Sequence, residues 1–169
     1  PRAALQEGRR QLLELGALNS EGRPTDMGQK LARFGAHPRL GLILLQARAL
    51  GRPQVGADLA AILNERDLLS QHNHGSDLWA RMLLLRDQRS SSRMPRERTA
   101  ADRLRTILDQ SRRWLQQLGQ FDQEQEPQDI EATDEQIAAQ LVATAFPEWI
   151  AMARPGQRGQ FLLRQGRGA

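Results

Sequence analysis

Leu15-Gly-Ala-Leu-Asn-Ser-Glu-Gly-Arg-Pro-Thr-Asp-Met-Gly-Gln-Lys-Leu-Ala-Arg-Phe-Gly-Ala-His-Pro-Arg-Leu40 carries, in order, a helix stop, a tight turn, a helix start, a second stop and a second start. Gly16 stands where a left-handed C-terminal cap is expected, ending a helix over about residues 3–15. Leu5, Leu12 and Leu15 would share one face of it. Ala17-Leu18 and Arg23-Pro24 flank the polar Asn19-Ser20-Glu21-Gly22, the pattern of a very short hairpin or wing. Pro24 donates no ladder hydrogen bond, so it is expected to weaken that pairing. Thr25 caps a short helix ending near Phe34, with Gly35 beyond it. Pro38 opens the next helix at a first helical position, and His37 before it reads as a capping or packing residue.

Helical periodicity continues outward from this stretch, and strand formers are scarce. Leu40, Ile43, Leu44, Ala47 and Leu50 form an apolar stripe closed by Gly51. A helix after Pro53 buries Val55, Leu59, Ile62 and Leu63. Residues 67–76 read as a polar loop, and Ser76 as the cap of a helix bearing Leu78, Met82 and Leu85. A Ser/Arg loop around Ser90-Ser91-Ser92 precedes the longest helix, over about residues 96–118. Its inner face is Ala100, Leu104, Ile107, Leu108, Ser111, Leu115 and Leu118. Residues 122–135 then carry seven acids and no base, which reads as an exposed, poorly ordered linker broken by Pro127. Thr133-Asp134-Glu135-Gln136 matches a capping box and starts a helix with Ile137, Leu141 and Val142. Pro147 opens a short helix over Glu148 to Met152. Gln160-Phe161-Leu162-Leu163 reads as a strand without a partner in the chain, the first piece of a truncated β region.

Composition removes several function classes. There is no cysteine, so disulfides and Cys-based zinc sites are excluded. No run of about 18 apolar residues is present to span a membrane, and no signal peptide is visible. The cytoplasm is the expected compartment. The chain opens at Pro1 and stops at Gly166-Arg-Gly-Ala169, and is read as a fragment. No Gly-x-x-x-x-Gly-Lys-Ser/Thr loop and no Asp-Glu-x-His box occur, so nothing here cradles a triphosphate and its magnesium. His72 and His74 have a spacing that metals use but no evident third ligand, and a solvated loop accounts for them. No catalytic residue and no cofactor site are assigned.

One stretch offers binding chemistry. Lys30 is the only lysine among 24 basic residues, the rest being arginine. Arginine's planar fork suits phosphate, although GC-rich coding produces the same bias. Residues 81–115 hold ten arginines against Asp87, Glu97, Asp102 and Asp109, a local excess of six positive charges. Arg98 with Asp102, and Arg105 with Asp109, stand four apart and neutralise part of the run. Arg89, Arg93 and Arg96 in the loop, with Arg103, Arg112 and Arg113, lack an obvious helical partner. Such a run either tracks a phosphate backbone or is a solvated face. Trp79 and Trp114 could stack on bases, though both sit on helices where core packing is the commoner use.

Three separated segments resemble one family. Leu15 to Leu40 is similar to the end of the winged helix of DEAH-type helicases, where a Leu-Gly-Ala-Leu, wing, Thr-x-x-Gly pattern leads into a helical bundle. His37-Pro38-Arg39-Leu40 resembles the bacterial HrpB branch. Asp58-Leu-Ala-Ala-Ile-Leu-Asn-Glu-Arg-Asp67 resembles that branch's second bundle helix. Ala145-Phe-Pro-Glu-Trp-Ile-Ala151 and Gly159 to Ala169 resemble the opening of its C-terminal region. Pro24, Gln29 and Trp149 depart from the pattern.

The resemblance implies a mainly α fold. Residues 1–35 would be a partial winged helix with a short hairpin, and residues 36–152 a helicase-associated, ratchet-like bundle with an acidic linker near 119–132. Residues 153–169 would start a truncated C-terminal β region. It further implies a parent ATP-dependent helicase whose two RecA-like motor domains lie upstream and use ATP and magnesium. The bundle would guide single-stranded RNA or DNA, with Arg66, Arg93, Arg96 and Arg103 as candidate contacts and Arg66 on resemblance alone. A winged-helix DNA-binding regulator with a helical dimerisation bundle, and a helical protein-interaction scaffold, are the alternatives. A regulator should carry a complete helix-turn-helix before its wing, and only one helix precedes residue 17. The purified chain is expected to show no ATPase or unwinding activity. Turnover in a phosphate-release assay on a contaminant-free preparation would contradict this.

Overall fold

The computed structural model describes residues 2–65, 77–90, 98–121, 131–156 and 160–163. Among them the helices are α1 (Arg2–Glu14), α2 (Asp26–Ala32), α3 (Pro38–Ala49), α4 (Pro53–Asn64), α5 (Leu78–Ser90), α6 (Arg98–Leu118) and α7 (Asp134–Ala145). A 3-10 turn over Pro147–Trp149 and two short strands, β1 (Ala151–Ala153) and β2 (Phe161–Leu163), follow. The fold is mainly α, as the periodicity indicated. No helix among the described residues is long and apolar enough to cross a membrane.

Thr25 organises the first third of the chain. Its Oγ1 accepts from the Gly28 amide at 3.0 Å and donates to the Gly16 carbonyl at 2.6 Å. One side chain therefore caps α2 and ties it to the end of α1. Gly16, at φ +67°, is the left-handed cap that stops α1. Leu18 bridges Pro24 in antiparallel fashion. The flanking bonds run from Asn19 N to Arg23 O at 2.9 Å and from Thr25 N to Ala17 O at 3.0 Å. Pro24 thus occupies the pair that exchanges no hydrogen bonds, and its missing N–H costs the hairpin nothing. The expected weakening does not arise. Gly28 is required by contact: a Cβ there would sit 2.1 Å from the Ala17 carbonyl oxygen.

α1 itself is loosely held. Leu12 and Leu15 are half-buried against Ala17, Leu31 and Leu42, but Leu5 is 76% exposed, so the expected three-leucine face does not form. Surface ion pairs from Arg10 to Glu7 and Glu14 run along the helix. The hydrogen bond from Arg10 holds the Glu7 carboxyl down at about 2.

α4 is the axis of the bundle, with every residue from Val55 to Ile62 buried. It packs on α3 and α6, and α7 lies across α3 and α4. Small residues permit this: a Cβ on Gly56 would stand 2.2 Å from the Ala47 Cβ, so α3 and α4 meet almost backbone to backbone. Ile43, Leu44, Leu59, Leu85, Ile107, Leu118, Ile137 and Leu141 fill the centre. On α6 the buried face includes Ala101 and Trp114, while Ala100 and Leu115 are only half-buried, a small rotation from the expected face.

The caps are as the sequence indicated, with one change. His37 accepts from the Arg39 amide, and Thr133 and Gln136 form the full capping box of α7. On α5, Asp77 accepts from the amides of Trp79 and Ala80. Ser76, the expected cap, lies outside the described residues, as do the polar loop up to it from residue 66 and the acidic residues 122–130. α5 also runs on to Ser90, so Arg89 is helical and not in a loop.

The C-terminal end differs from expectation. The anticipated helix over Glu148 to Met152 is replaced by the 3-10 turn and then β1. The strand at Phe161 is not partnerless: β2 pairs antiparallel with β1, Ala151 opposite Leu163 and Ala153 opposite Phe161. Gly156, at φ +74°, lies in the turn that follows β1.

The glycine contacts give a matched pair of stability tests. Gly28→Ala should lower unfolding free energy by about 2 kcal/mol, because the opposing atom is backbone and cannot step aside. Gly8→Ala, in exposed α1 with nothing within 4 Å of the added Cβ, should raise helix stability by about 0.5–1 kcal/mol. Urea titrations of both variants measure the contrast.

Candidate nucleic-acid interface

Among the described residues the basic stretch is divided between α5 and α6. On α6 the ion pairs close at three-residue spacing, Arg105 to Asp102 at 2.8 Å and Arg112 to Asp109 at 2.9 Å. The expected Arg105–Asp109 pairing is therefore not the one formed. Arg113 donates to Gln110 at 2.7 Å, so neither it nor Arg112 is partnerless. Arg103 is exposed on the same helix and also interacts within the chain, against the expectation that it lacks a partner. Arg66, Arg93 and Arg96 lie outside the described residues, and so does the Arg98 side chain. Exposed pairs of this kind contribute at most about 1 kcal/mol each, so their guanidinium groups can exchange a carboxylate for a phosphate at little cost.

Arg89 behaves differently. Asp58 is buried in the middle of α4, and Arg89 reaches it from α5 with both terminal guanidinium nitrogens. Ser111 of α6 donates to Asp58 at 2.6 Å and accepts from Arg89 at 3.0 Å. Gln54 donates to Asp58 at 3.1 Å. A charged group this buried is tolerated because both of its oxygens meet donors, Arg89 on Oδ2 and Arg89, Ser111 and Gln54 on Oδ1. Sequence reasoning placed Arg89 among the loop cations and gave Asp58 no role. The available signal was an acid inside the apolar run Val55-Gly-Ala-Asp58-Leu-Ala-Ala, which calls for a buried opposite charge.

A second cluster joins the start of α3 to the end of α7. Arg39 donates to the Ala145 carbonyl at 2.9 Å, forms an ion pair with Glu148 and lies 5.1 Å over the Phe146 ring. Phe146 stacks on Trp149 with centroids 4.1 Å apart. Trp149, a departure from the family pattern, is thus held as an aromatic partner. Trp114 is 2% exposed and packs in the core, which removes it as a base-stacking residue. Trp79 is half-buried and faces two grooves. Among the described residues no three His, Cys, Asp or Glu side chains gather to hold a metal; His72 and His74 lie outside them.

No family model matches the chain, and no curated protein does either. Solved structures do match. The crystal structure of the DExH-box NTPase HrpB of E. coli superposes with a TM-score of 0.61 at 29% identity, over 99% of this chain and 17% of that one. A second, of the E. coli DEAH/RHA helicase HrpB, gives 0.63 and 30%, over 95% of this chain and 16% of that one. The resemblance to HrpB-type helicases is borne out. The chain spans about a sixth of the length of these structures, and it is a helicase-related region.

The HrpB-type motifs acquire physical reasons from the geometry. Thr25 and Gly28 of Thr-x-x-Gly cap α2 and admit the hairpin. Arg39 of His-Pro-Arg-Leu clamps Phe146 and Glu148 of Ala-Phe-Pro-Glu-Trp, while Asp58 anchors α5 and α6 to α4. Asp58→Ala should strand Arg89 and Ser111 and cost about 2–4 kcal/mol, somewhat below a fully enclosed pair because Arg89 reaches solvent. Arg105→Ala, which breaks only a surface pair, should change stability by less than about 0.5 kcal/mol. Thermal melts followed by circular dichroism compare the two.

Proposed function

We propose that the chain is a non-catalytic accessory region of an ATP-dependent nucleic-acid helicase. Its bundle guides single-stranded RNA or DNA and couples strand movement to two RecA-like motor domains upstream in the same polypeptide. The observation that carries this is likeness to HrpB helicase structures along 95–99% of the chain while only 16–17% of those proteins is matched. ATP and magnesium belong to the motor part of the parent, which acts in the cytoplasm. In this proposal residues 1–35 are a winged-helix remnant, 36–152 a ratchet-like bundle and 153–169 the start of a β region. Strand contact runs through Arg103, with Arg66, Arg93 and Arg96 contributing from outside the described residues. Supporting it, the arginine pairs of α6 are exposed and weakly held.

Fluorescence anisotropy with a labelled single strand tests this. Affinity should be weak, at about 10⁻⁴ to 10⁻⁶ M, and should fall steeply with salt. Replacing Arg93, Arg96 and Arg103 together by Ala should reduce the log–log salt slope by about 2, at roughly 0.7 per lost phosphate contact. No binding at low salt, or an unaltered slope in the triple variant, would overturn it.

A further inference from the structure

A groove of about 300 Å³ opens where the start of α4, one side of α5 and the first turn of α7 meet. Val55 and Met82 give it an apolar floor, and Trp79, Arg52, Arg86 and Arg89 line its sides together with Asp58 and Asp134. The three arginines are held unequally. Arg89 is locked onto Asp58 as described above. Arg52 and Arg86 converge on the single carboxylate of Asp134, at 3.7 Å and 3.4 Å. Closed charge-assisted bonds are about 2.7–2.9 Å long, so neither guanidinium is tightly bound. Two cations share one anion at an open rim, beside an aromatic side chain.

We propose that this groove binds one nucleotide of a single strand, its phosphate between Arg52 and Arg86 and its base against Trp79. The inference rests on the nucleic-acid reading above and gives that strand a second contact, distinct from the α6 arginines. The chemistry favours a nucleotide over an acidic peptide. A carboxylate would use the guanidinium groups but leave Trp79 and the apolar floor unoccupied, whereas a nucleotide uses all of them. The volume lies at the lower end of the roughly 300–1,000 Å³ of small-molecule pockets, which suits a single nucleotide unit. Asp134 then acts as the occupant that phosphate displaces.

The test is anisotropy of labelled oligo(dT) and oligo(U) with the whole chain and five variants, each confirmed folded by circular dichroism. Arg52→Ala with Arg86→Ala should weaken binding about tenfold and lower the salt slope by about 1.4. Trp79→Leu should weaken it at least about fivefold with the slope unchanged, as loss of stacking requires, and Trp79→Phe should restore most of the loss. Asp134→Asn should tighten binding more than Asp109→Asn, which removes one negative charge from α6. Undiminished binding by the arginine and Trp79→Leu variants would overturn the groove, as would poly-glutamate displacing the oligonucleotide as well as unlabelled oligo(dT) does. Failure of the unaltered chain to bind either strand is a different result: it would sink the nucleic-acid reading itself.

Discussion

The carboxylate of Asp58 is the constraint around which the bundle is arranged. α4 is buried from Val55 to Ile62, and an ionised group at its centre would be ruinous without donors from neighbouring helices. Arg89 from α5, Ser111 from α6 and Gln54 from α4 itself provide them. Because a bidentate guanidinium has one workable orientation, this contact fixes the rotation and height of α5 relative to α4. Removing one partner would leave the other's charge without its donors, so the network holds α5 and α6 on α4.

Close approach is the second constraint, and glycine and alanine supply it. Gly56 against Ala47 brings α3 and α4 together, and Gly28 against the Ala17 carbonyl seats α2 beneath the hairpin. With α3 fixed on α4, Arg39 at its start reaches the end of α7, some hundred residues later in sequence. The Arg39 guanidinium, the Phe146 and Trp149 rings and Glu148 then set where β1 departs from the bundle.

Arginine performs several tasks in this chain, which is why its abundance alone assigns none. Arg89 is a structural ion, and Arg39 is a cation seated on an aromatic ring. Arg48 holds the Phe121 carbonyl at 2.6 Å while Arg33 lies 4.1 Å over the Phe121 ring. Arg105 and Arg112 are solvated partners of nearby acids, and Arg52 and Arg86 share one carboxylate. Of these, Arg105, Arg112, Arg52 and Arg86 have guanidinium surface to spare for a phosphate, as the exposed Arg103 on α6 does. A count of charge along residues 81–115 adds the structural Arg89 to the solvated Arg86, Arg105 and Arg112 without separating them.

What the sequence determined by itself is local and periodic. Thr25, His37, Thr133 with Gln136, Gly16 and Pro38 mark helix ends through bonds that close within a few residues, so their meaning survives without the rest of the fold. The apolar stripes of α3 and α6 were legible for the same reason, apart from a small rotation of α6 that tertiary packing imposed through Ala101 and Trp114. The fold class and the HrpB-type resemblance followed from those signals in order. What only the tertiary structure decided involves partners distant in sequence. Arg89 meets Asp58 across 31 positions and Arg39 meets Glu148 across 109. β2 pairs with β1, Ala151 opposite Leu163. The groove of Arg52, Trp79 and Arg86 exists because three helices meet, and no spacing along the chain encodes which side chains that meeting brings within reach of one another.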